Sequence, residues 1–202
     1  MTSTENTSPS IPPFDENNLL PPYRTDRYDV MDNFHDEYLS PFKCTLLELC
    51  ERFATSKERV EILKGLYFFR KAMFNHNILL GYQWLYGSFT ENIEAIENRS
   101  PNDMDVATFY EGPPDTNEAH WKKVFPEFVS NTLSKEKYKI DQTSYPILVA
   151  PPSHIIHVDI VSDLIQLFTH TRKGVWKGIL RLELNTPEED EKAINYLNSL
   201  QL

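Results

Sequence analysis

Gly81-Tyr-Gln-Trp-Leu-Tyr-Gly-Ser-Phe-Thr90 and, after a short spacer, Asn102-Asp-Met-Asp-Val-Ala-Thr-Phe-Tyr110 decide how this chain is read. The first run is apolar and aromatic, and it stops at Gly87-Ser88. The second places Asp103 and Asp105 two residues apart, just ahead of another apolar run. Alternate residues of a strand share a face, so both carboxylates would project together from a strand start. Hard carboxylate oxygens beside a Gly-Ser turn can hold a divalent metal and a phosphate chain side by side.

Working outward, Leu79 to Tyr86 reads as a buried strand and Phe89 to Glu97 as a short helix. Arg99-Ser-Pro-Asn is a loop, and Asp103 to Tyr110 is a strand with Met104, Val106 and Thr108 on one side. Upstream, Leu46, Leu49, Cys50 and Phe53 recur at helical spacing. Ser56 can cap a longer helix whose stripe is Val60, Leu63, Leu66, Tyr67, Arg70 and Phe74. Asn75-His-Asn ends that helix. Downstream, Glu118 to Asn131 reads as a helix with Val124, Phe125, Phe128 and Val129 inward, and with Pro126 as a kink or break. Tyr138 to Leu148 is a strand candidate containing Asp141. Ile156 to Thr169 reads as a helix through Val158, Val161, Leu164, Ile165 and Phe168. Arg172-Lys-Gly is a turn, and Gly178 to Leu184 a final strand. Thr186-Pro-Glu-Glu has the form of a capping box that opens a last helix on Ala193, Ile194, Leu197 and Leu200. Helices first, then strands alternating with helices, give an α+β domain with a small mixed β-sheet flanked by helices.

The N-terminus is different in kind. Met1 to Ser10 is rich in Ser, Thr and Asn and reads as a disordered tail. Ile11-Pro-Pro-Phe and Leu19-Leu-Pro-Pro-Tyr form an extended Pro-rich arm, anchored on the domain surface by Phe14, Leu19, Leu20 and Tyr23. Tyr28 to Tyr38 is an acidic, aromatic loop or short helix. Residues 1–43 are thus tail and arm, and residues 44–202 the domain.

Bulk properties narrow the function. Of the 202 residues 40% are hydrophobic and 25% charged, as in an ordinary soluble domain. The formal charge of -10 argues against a grip on long nucleic acid, which calls for a basic face. Cys44 and Cys50 suit neither a zinc site nor a redox pair and read as free thiols in a reducing cytoplasm. No basic-then-apolar signal segment opens the chain, and no run is long enough for a membrane helix. His154 and His157 have the closest histidine spacing, with no partner on their face, and read as structural. An isolated Asp-x-Asp marks a solvated strand corner more often than a metal site. Its position after a strand and a Gly-Ser turn is what raises it.

Leu80-Gly-Tyr-Gln-Trp-Leu-Tyr-Gly-Ser-Phe-Thr-Glu-Asn, then Arg99-Ser-Pro-Asn-Asp-Met-Asp-Val, resembles the core signature of the DNA polymerase beta-like nucleotidyltransferase superfamily. More closely, the chain is similar to a compact, mostly bacterial family of nucleotidyltransferase-like proteins. The features shared with it are the opening Ile11-Pro-Pro-Phe-Asp, Leu19-Leu-Pro-Pro, and the closing Lys177-Gly-Ile strand. The likeness spans roughly Ile11 to Leu184, and its Gly-Ser and Asp-x-Asp parts are the more specific. The spacing from Ser88 to Asp103 is longer than usual in the superfamily.

The resemblance implies two Mg2+ (or Mn2+) ions on Asp103, Asp105 and a third carboxylate. Asp141 is favoured for that role and Asp159 is the rival. Gly87 and Ser88 would hold the terminal phosphates of a nucleoside triphosphate. Arg99, Arg172 and Lys177 are the candidate phosphate-binding cations, each also readable as an ordinary solvated side chain. Trp84 and Tyr86 read as core aromatics more readily than as a base-stacking platform. The acceptor stays open between a nucleotide, a tRNA end and a protein side chain. Such compact enzymes often sit in toxin–antitoxin or antiviral (phage) defence modules. The other reading is a catalytically inactive nucleotide-sensing or scaffolding subunit, with a protein partner or a second copy engaged through the N-terminal arm.

Overall fold

The computed structural model describes residues 10–24, 38–147 and 153–201, with backbone alone for 153–157. The tail reading of residues 1–9, most of the Tyr28 to Tyr38 segment, Leu148 and the side chains of His154 and His157 lie outside these residues.

Among the described residues, five strands form one mixed sheet: β1 (Phe42–Lys43), β2 (Leu80–Tyr86), β3 (Met104–Glu111), β4 (Ile140–Pro146) and β5 (Leu180–Glu183), in the order β1-β5-β2-β3-β4. The central strand β2 runs antiparallel to both β3 and β5, whereas β3–β4 and β1–β5 are parallel pairs. Among the described residues, seven helices accompany it: α1 (Leu46–Phe53), α2 (Lys57–Asn75), α3 (Ile93–Glu97), α4 (Glu118–Val124), α5 (Asn131–Tyr138), α6 (Ser153–Phe168) and α7 (Pro187–Ser199). The chain is therefore an α+β domain with a mixed sheet. Among the described residues, no helix is long and apolar enough to cross a membrane.

Strand alternation decides which helix covers which face. Leu85, Val106, Ile140, Leu180 and Leu182 point to one side, where α1, α2 and α7 supply Leu49, Leu63, Leu66, Ile194 and Leu197. Trp84, Ala107, Phe109 and Ile179 point to the other side and meet Leu164 and Phe168 of α6. Asp105 follows the period of Ala107 and Phe109, so it lies on the α6 face. Leu20 of the arm is buried in the first of these clusters, and its carbonyl accepts from the Gly178 N–H at 2.6 Å. Phe14 packs edge-on against Phe53, while Tyr23, expected as an anchor, is exposed.

Several boundaries differ from the sequence reading, each for a local reason. Thr45 and Glu48 form a reciprocal capping box that opens α1. The expected box at Thr186 is absent. Its hydroxyl instead accepts from Arg70 at 2.7 Å and donates to Asp190 at 3.0 Å. The expected Phe89 to Glu97 helix is a 3-10 turn, Gly87–Thr90, then an extended Glu91, then α3. The expected Glu118 to Asn131 helix stops at Val124. Pro126 has no N–H to continue it, and it starts a separate turn, Pro126–Phe128. Phe125 and Phe128 are buried as expected, but Val124 is exposed. Helix α5 was not anticipated because its sequence, Asn131-Thr-Leu-Ser-Lys-Glu-Lys-Tyr, has no apolar stripe. It forms under the Ser130 cap and ends at Lys139, which adopts a left-handed φ of 58°. Strand β4 therefore begins at Ile140 rather than Tyr138. In α2 Phe74 is exposed, although it falls on the expected apolar stripe, and in α6 Val158 is exposed as well.

Arg70 sits within the apolar stripe of α2 yet is 4% exposed. Its guanidinium bonds both Asp190 oxygens, at 2.8 and 3.1 Å, the Gln83 carbonyl oxygen at 2.8 Å and the Glu183 carbonyl at 2.9 Å. Because Arg only donates, Gln83 must present its oxygen to Arg70 and its nitrogen to Thr108. The Thr108 hydroxyl then donates to Gln142 at 3.0 Å. One buried cation thus orders a polar chain across β2, β3 and β4. Arg70→Ala would strand the Asp190 charge and the Gln83 oxygen inside the core. Chemical denaturation should show a loss of about 3–5 kcal/mol, far above the loss for Lys71→Ala, whose pair with Glu191 is solvent-exposed and screened.

Candidate functional site

The register of three strands brings the carboxylates together. Tyr86, the last residue of β2, stands opposite Asp105 of β3, and Asp105 stands beside Asp141 of β4. Asp103 lies two residues before Asp105, just ahead of the strand. All sit at one end of the sheet, where β2 leaves it and β3 and β4 enter. Asp159, the rival to Asp141, is exposed on α6.

Glycine at position 87 is required twice over. Its φ is +75°, a region that disfavours a side chain. A Cβ placed there would also lie 1.7 Å from Asp105 Oδ2. The Asp105 carboxylate therefore rests directly on the backbone of the Gly-Ser turn. That turn is held from below by two cations. Lys177, 4% exposed, donates to the Gly87 carbonyl at 3.2 Å and pairs with Glu91. Arg59, 2% exposed, bonds the Phe89 and Glu91 carbonyls at 2.8 Å each and grips Glu94 through two further bonds. The Arg59 guanidinium holds the Glu94 carboxyl below its ordinary value.

Lys177, expected to reach phosphate, is thus a buried support of the turn. Arg59 was not anticipated as part of the site. Its partners lie 30 to 35 residues away in sequence, and no local pattern announces them. Arg99 is exposed and engages Glu97 at 2.6 Å and the Ser100 carbonyl at 3.2 Å within its own loop. Arg172 is exposed on the Thr171–Gly174 turn. The structure brings together Gly87, Ser88, Asp103, Asp105, Asp141 and, beneath them, Lys177. Neither Arg99 nor Arg172 makes a contact with the carboxylates among the described interactions.

A further residue missed by sequence reading is Lys135 of α5. Its ammonium lies 2.5 Å from Asp103 Oδ2 and 3.1 Å from Asp141 Oδ2, and its side chain is 49% exposed. The two carboxylates raise the Lys135 pKa above its usual value. Asp105 is pushed up to about 6, first by burial, then by the like charges of Asp103 and Asp141, with Lys135 and Lys177 opposing. Three hard carboxylates on neighbouring strands suit Mg2+ or Mn2+ in chemical type. Among the described residues no group of three or more His, Cys, Asp or Glu side chains is arranged as a metal site. Here the lysine cation lies between Asp103 and Asp141.

Tyr86 closes the site on the α6 side, its ring stacked on Phe168 with centroids 3.5 Å apart. That contact, and the packing of Trp84 against Phe109, makes both aromatics part of the core. The cysteines play no part: both are free, and burial pushes Cys50 up to about 12 and Cys44 further up. A separate cleft of about 870 Å³, lined by Glu111, Asn117, Ser130, Gln142 and Ser144 among others, lies toward the opposite end of β3 and β4.

A family described as being of unknown function, DUF6932, matches residues 12–183. No curated protein and no solved structure matches.

Two outcomes follow from the geometry. Gly87→Ala should displace Asp105 and lower thermal stability by about 1–3 kcal/mol, the range for a strained backbone position. Asp105 binds its proton more tightly when folded, so its ionisation opposes folding as pH rises from its ordinary 3.8 through about 6. Asp105→Asn removes that opposition. It should stabilise the chain at pH 8 by up to about 3 kcal/mol and leave stability at pH 3 unchanged. Denaturation at the two pH values checks both the sign and the window.

Proposed function

We propose that this chain, which belongs to the family of unknown function DUF6932, is a metal-dependent nucleotidyltransferase. The observation that carries the reading is the in-register pair Asp105 and Asp141 with Asp103 alongside, set against the Gly87-Ser88 turn. Asp103, Asp105 and Asp141 would hold two Mg2+ or Mn2+ ions. When bound, these supply the positive charge that neutralises a triphosphate and acidifies a hydroxyl.

The chain's own residues then have distinct tasks. The turn at Gly87 and Ser88 offers backbone donors to the terminal phosphates, and Arg59 and Lys177 fix its position. Asp141, at the open edge strand, takes the proton of the acceptor hydroxyl. The acceptor oxygen forms a bond to the α-phosphorus of a nucleoside triphosphate. The bridging bond to the β-phosphate breaks, and pyrophosphate leaves. Arg172, on its exposed turn, is a candidate contact to substrate. The acceptor is a nucleotide, a tRNA end or a protein side chain. The setting would be a cytoplasmic signalling, toxin–antitoxin or phage-defence module, with a partner or second copy engaged through the N-terminal arm.

One observation favours the other reading, an inactive nucleotide-sensing or scaffolding subunit. Lys135 already neutralises Asp103 and Asp141 in the manner of a structural ion pair. Turnover separates the two. The chain is incubated with Mg2+ and the four ribo- and four deoxyribonucleoside triphosphates, and products are read by mass spectrometry together with pyrophosphate release. The expected result is transfer of a nucleoside monophosphate, lowered by at least about 100-fold in Asp103→Ala and Asp105→Asn. Equal turnover in wild type and Asp103→Ala would refute the enzyme reading. Metal-dependent triphosphate binding without products would favour the scaffold.

A further inference from the structure

Lys135 is placed too firmly for a chance surface lysine. It stands on α5, six residues before Asp141, and the connection between them is short. Ser134, fully buried, donates to the Ile140 carbonyl at 2.7 Å and so ties the helix to the start of β4. Lys139 closes the helix in a left-handed conformation, and its N–H bonds the Lys135 carbonyl at 2.9 Å. The Lys135 backbone is thereby fixed relative to Asp141, while its side chain remains half exposed and able to swing away.

The ammonium and a metal ion need the same oxygen lone pairs. A magnesium ion coordinates carboxylate oxygen at roughly 2.0–2.1 Å and keeps near-octahedral geometry. Lys135 Nζ already takes Oδ2 of both Asp103 and Asp141. Two cations sharing those oxygens would lie within a few ångströms of each other and repel strongly in a partly dry site. Asp105 is not a partner of the lysine, so displacing it leaves all three carboxylates free.

We propose that Lys135 is a tethered cation that competes with free divalent metal for Asp103 and Asp141, and that triphosphate relieves the competition by drawing the ammonium onto its own oxygens. This inference rests on the metal-dependent reading above. A lysine acts as a mobile point charge well suited to phosphate. The metal then enters with its nucleotide, and the metal-free chain keeps its carboxylates balanced.

The test is Mn2+ titration of the full chain, followed by electron paramagnetic resonance, for wild type, Lys135→Met, Lys135→Arg and Lys135→Met/Asp105→Asn. Methionine keeps an unbranched stem without the charge, and the exposed position makes folding loss a minor concern, checked by circular dichroism. Lys135→Met should bind Mn2+ at least about tenfold more tightly than wild type, the effect of removing one nearby like charge. Lys135→Arg should behave as wild type, and the double variant should lose the gain. With an equimolar mixture of α,β-methylene nucleoside triphosphate analogues present, the gap between wild type and Lys135→Met should close. Equal or weaker Mn2+ binding by Lys135→Met overturns the competition, and a persistent gap with the analogues overturns the relief. Failure of every variant to bind Mn2+ overturns the metal site itself, and with it the reading on which this rests.

Discussion

The Asp105 carboxylate occupies the space that a side chain at position 87 would fill. Everything else at the site follows from that contact. It requires glycine at the end of β2, because the backbone there is both left-handed and covered. It requires the β2–β3 register that sets Tyr86 opposite Asp105. It also requires that the turn stay put, since a carboxylate resting on backbone moves with it. Lys177 and Arg59 provide that stiffness by bonding three consecutive-turn carbonyls, Gly87, Phe89 and Glu91, from opposite sides in the sequence. Both are buried charges, and each is matched by a glutamate. Such pairs contribute little net stability but fix geometry, and losing one partner is costly.

The same contact carries a thermodynamic tension. Burial and two like charges hold Asp105 near 6, so the folded chain at neutral pH retains a carboxylate it would be more stable without. The residue thus weakens its own fold and is nevertheless held in place, against the Gly87 backbone and beside Asp141. The contrast with Arg70 is informative. Arg70 and Asp190 are also buried and charged, yet they are matched, multiply bonded and integrated into the core. Asp105 is raised by burial and by two like charges that nearby lysines only partly offset, whereas at Arg70 a guanidinium meets a carboxylate directly.

How much of this was legible in the sequence depended on the range of the interactions. Period-2 and period-3.6 patterns expose β3, β5, α1, α2 and α7, because burial on one face writes itself into the sequence, while length and aromatic content mark β2. The pairing of Gly87-Ser88 with Asp103 and Asp105 was legible because a strand and a Gly-Ser turn precede an Asp-x-Asp at a strand start, although the spacer between them is long. Helix α5 was not, because a cap at Ser130 and one buried serine hold it rather than an apolar stripe. Lys135 was invisible for the same reason. Arg59 and Lys177 look like solvated charges in sequence and Arg70 falls on an apolar stripe, and only the folded chain shows carbonyls and carboxylates from distant segments converging on them. Thr186 misled in the opposite direction: its local pattern promised a cap, but a buried guanidinium outcompeted the helix amides for its oxygen.

These assignments redistribute the positive charge available to a substrate. Lys177 is spent on the turn and Arg59 on Glu94 and the following carbonyls, so neither reaches an incoming phosphate. Arg99 is engaged in its own loop. Lys135 is the cation that already touches the carboxylates, and Arg172 and Lys173 are exposed on a turn of their own. A net charge of -10, with the buried cations among the described residues committed to structure, disfavours a grip along a polynucleotide backbone. On the proposed reading, a compact anion neutralised by metal and by Lys135 fits this distribution better. On the proposed reading, the same argument favours, over a long nucleic acid, a small nucleotide or a protein side chain as acceptor. Its binding would depend only weakly on salt, in contrast to the steep dependence that many phosphate contacts impose.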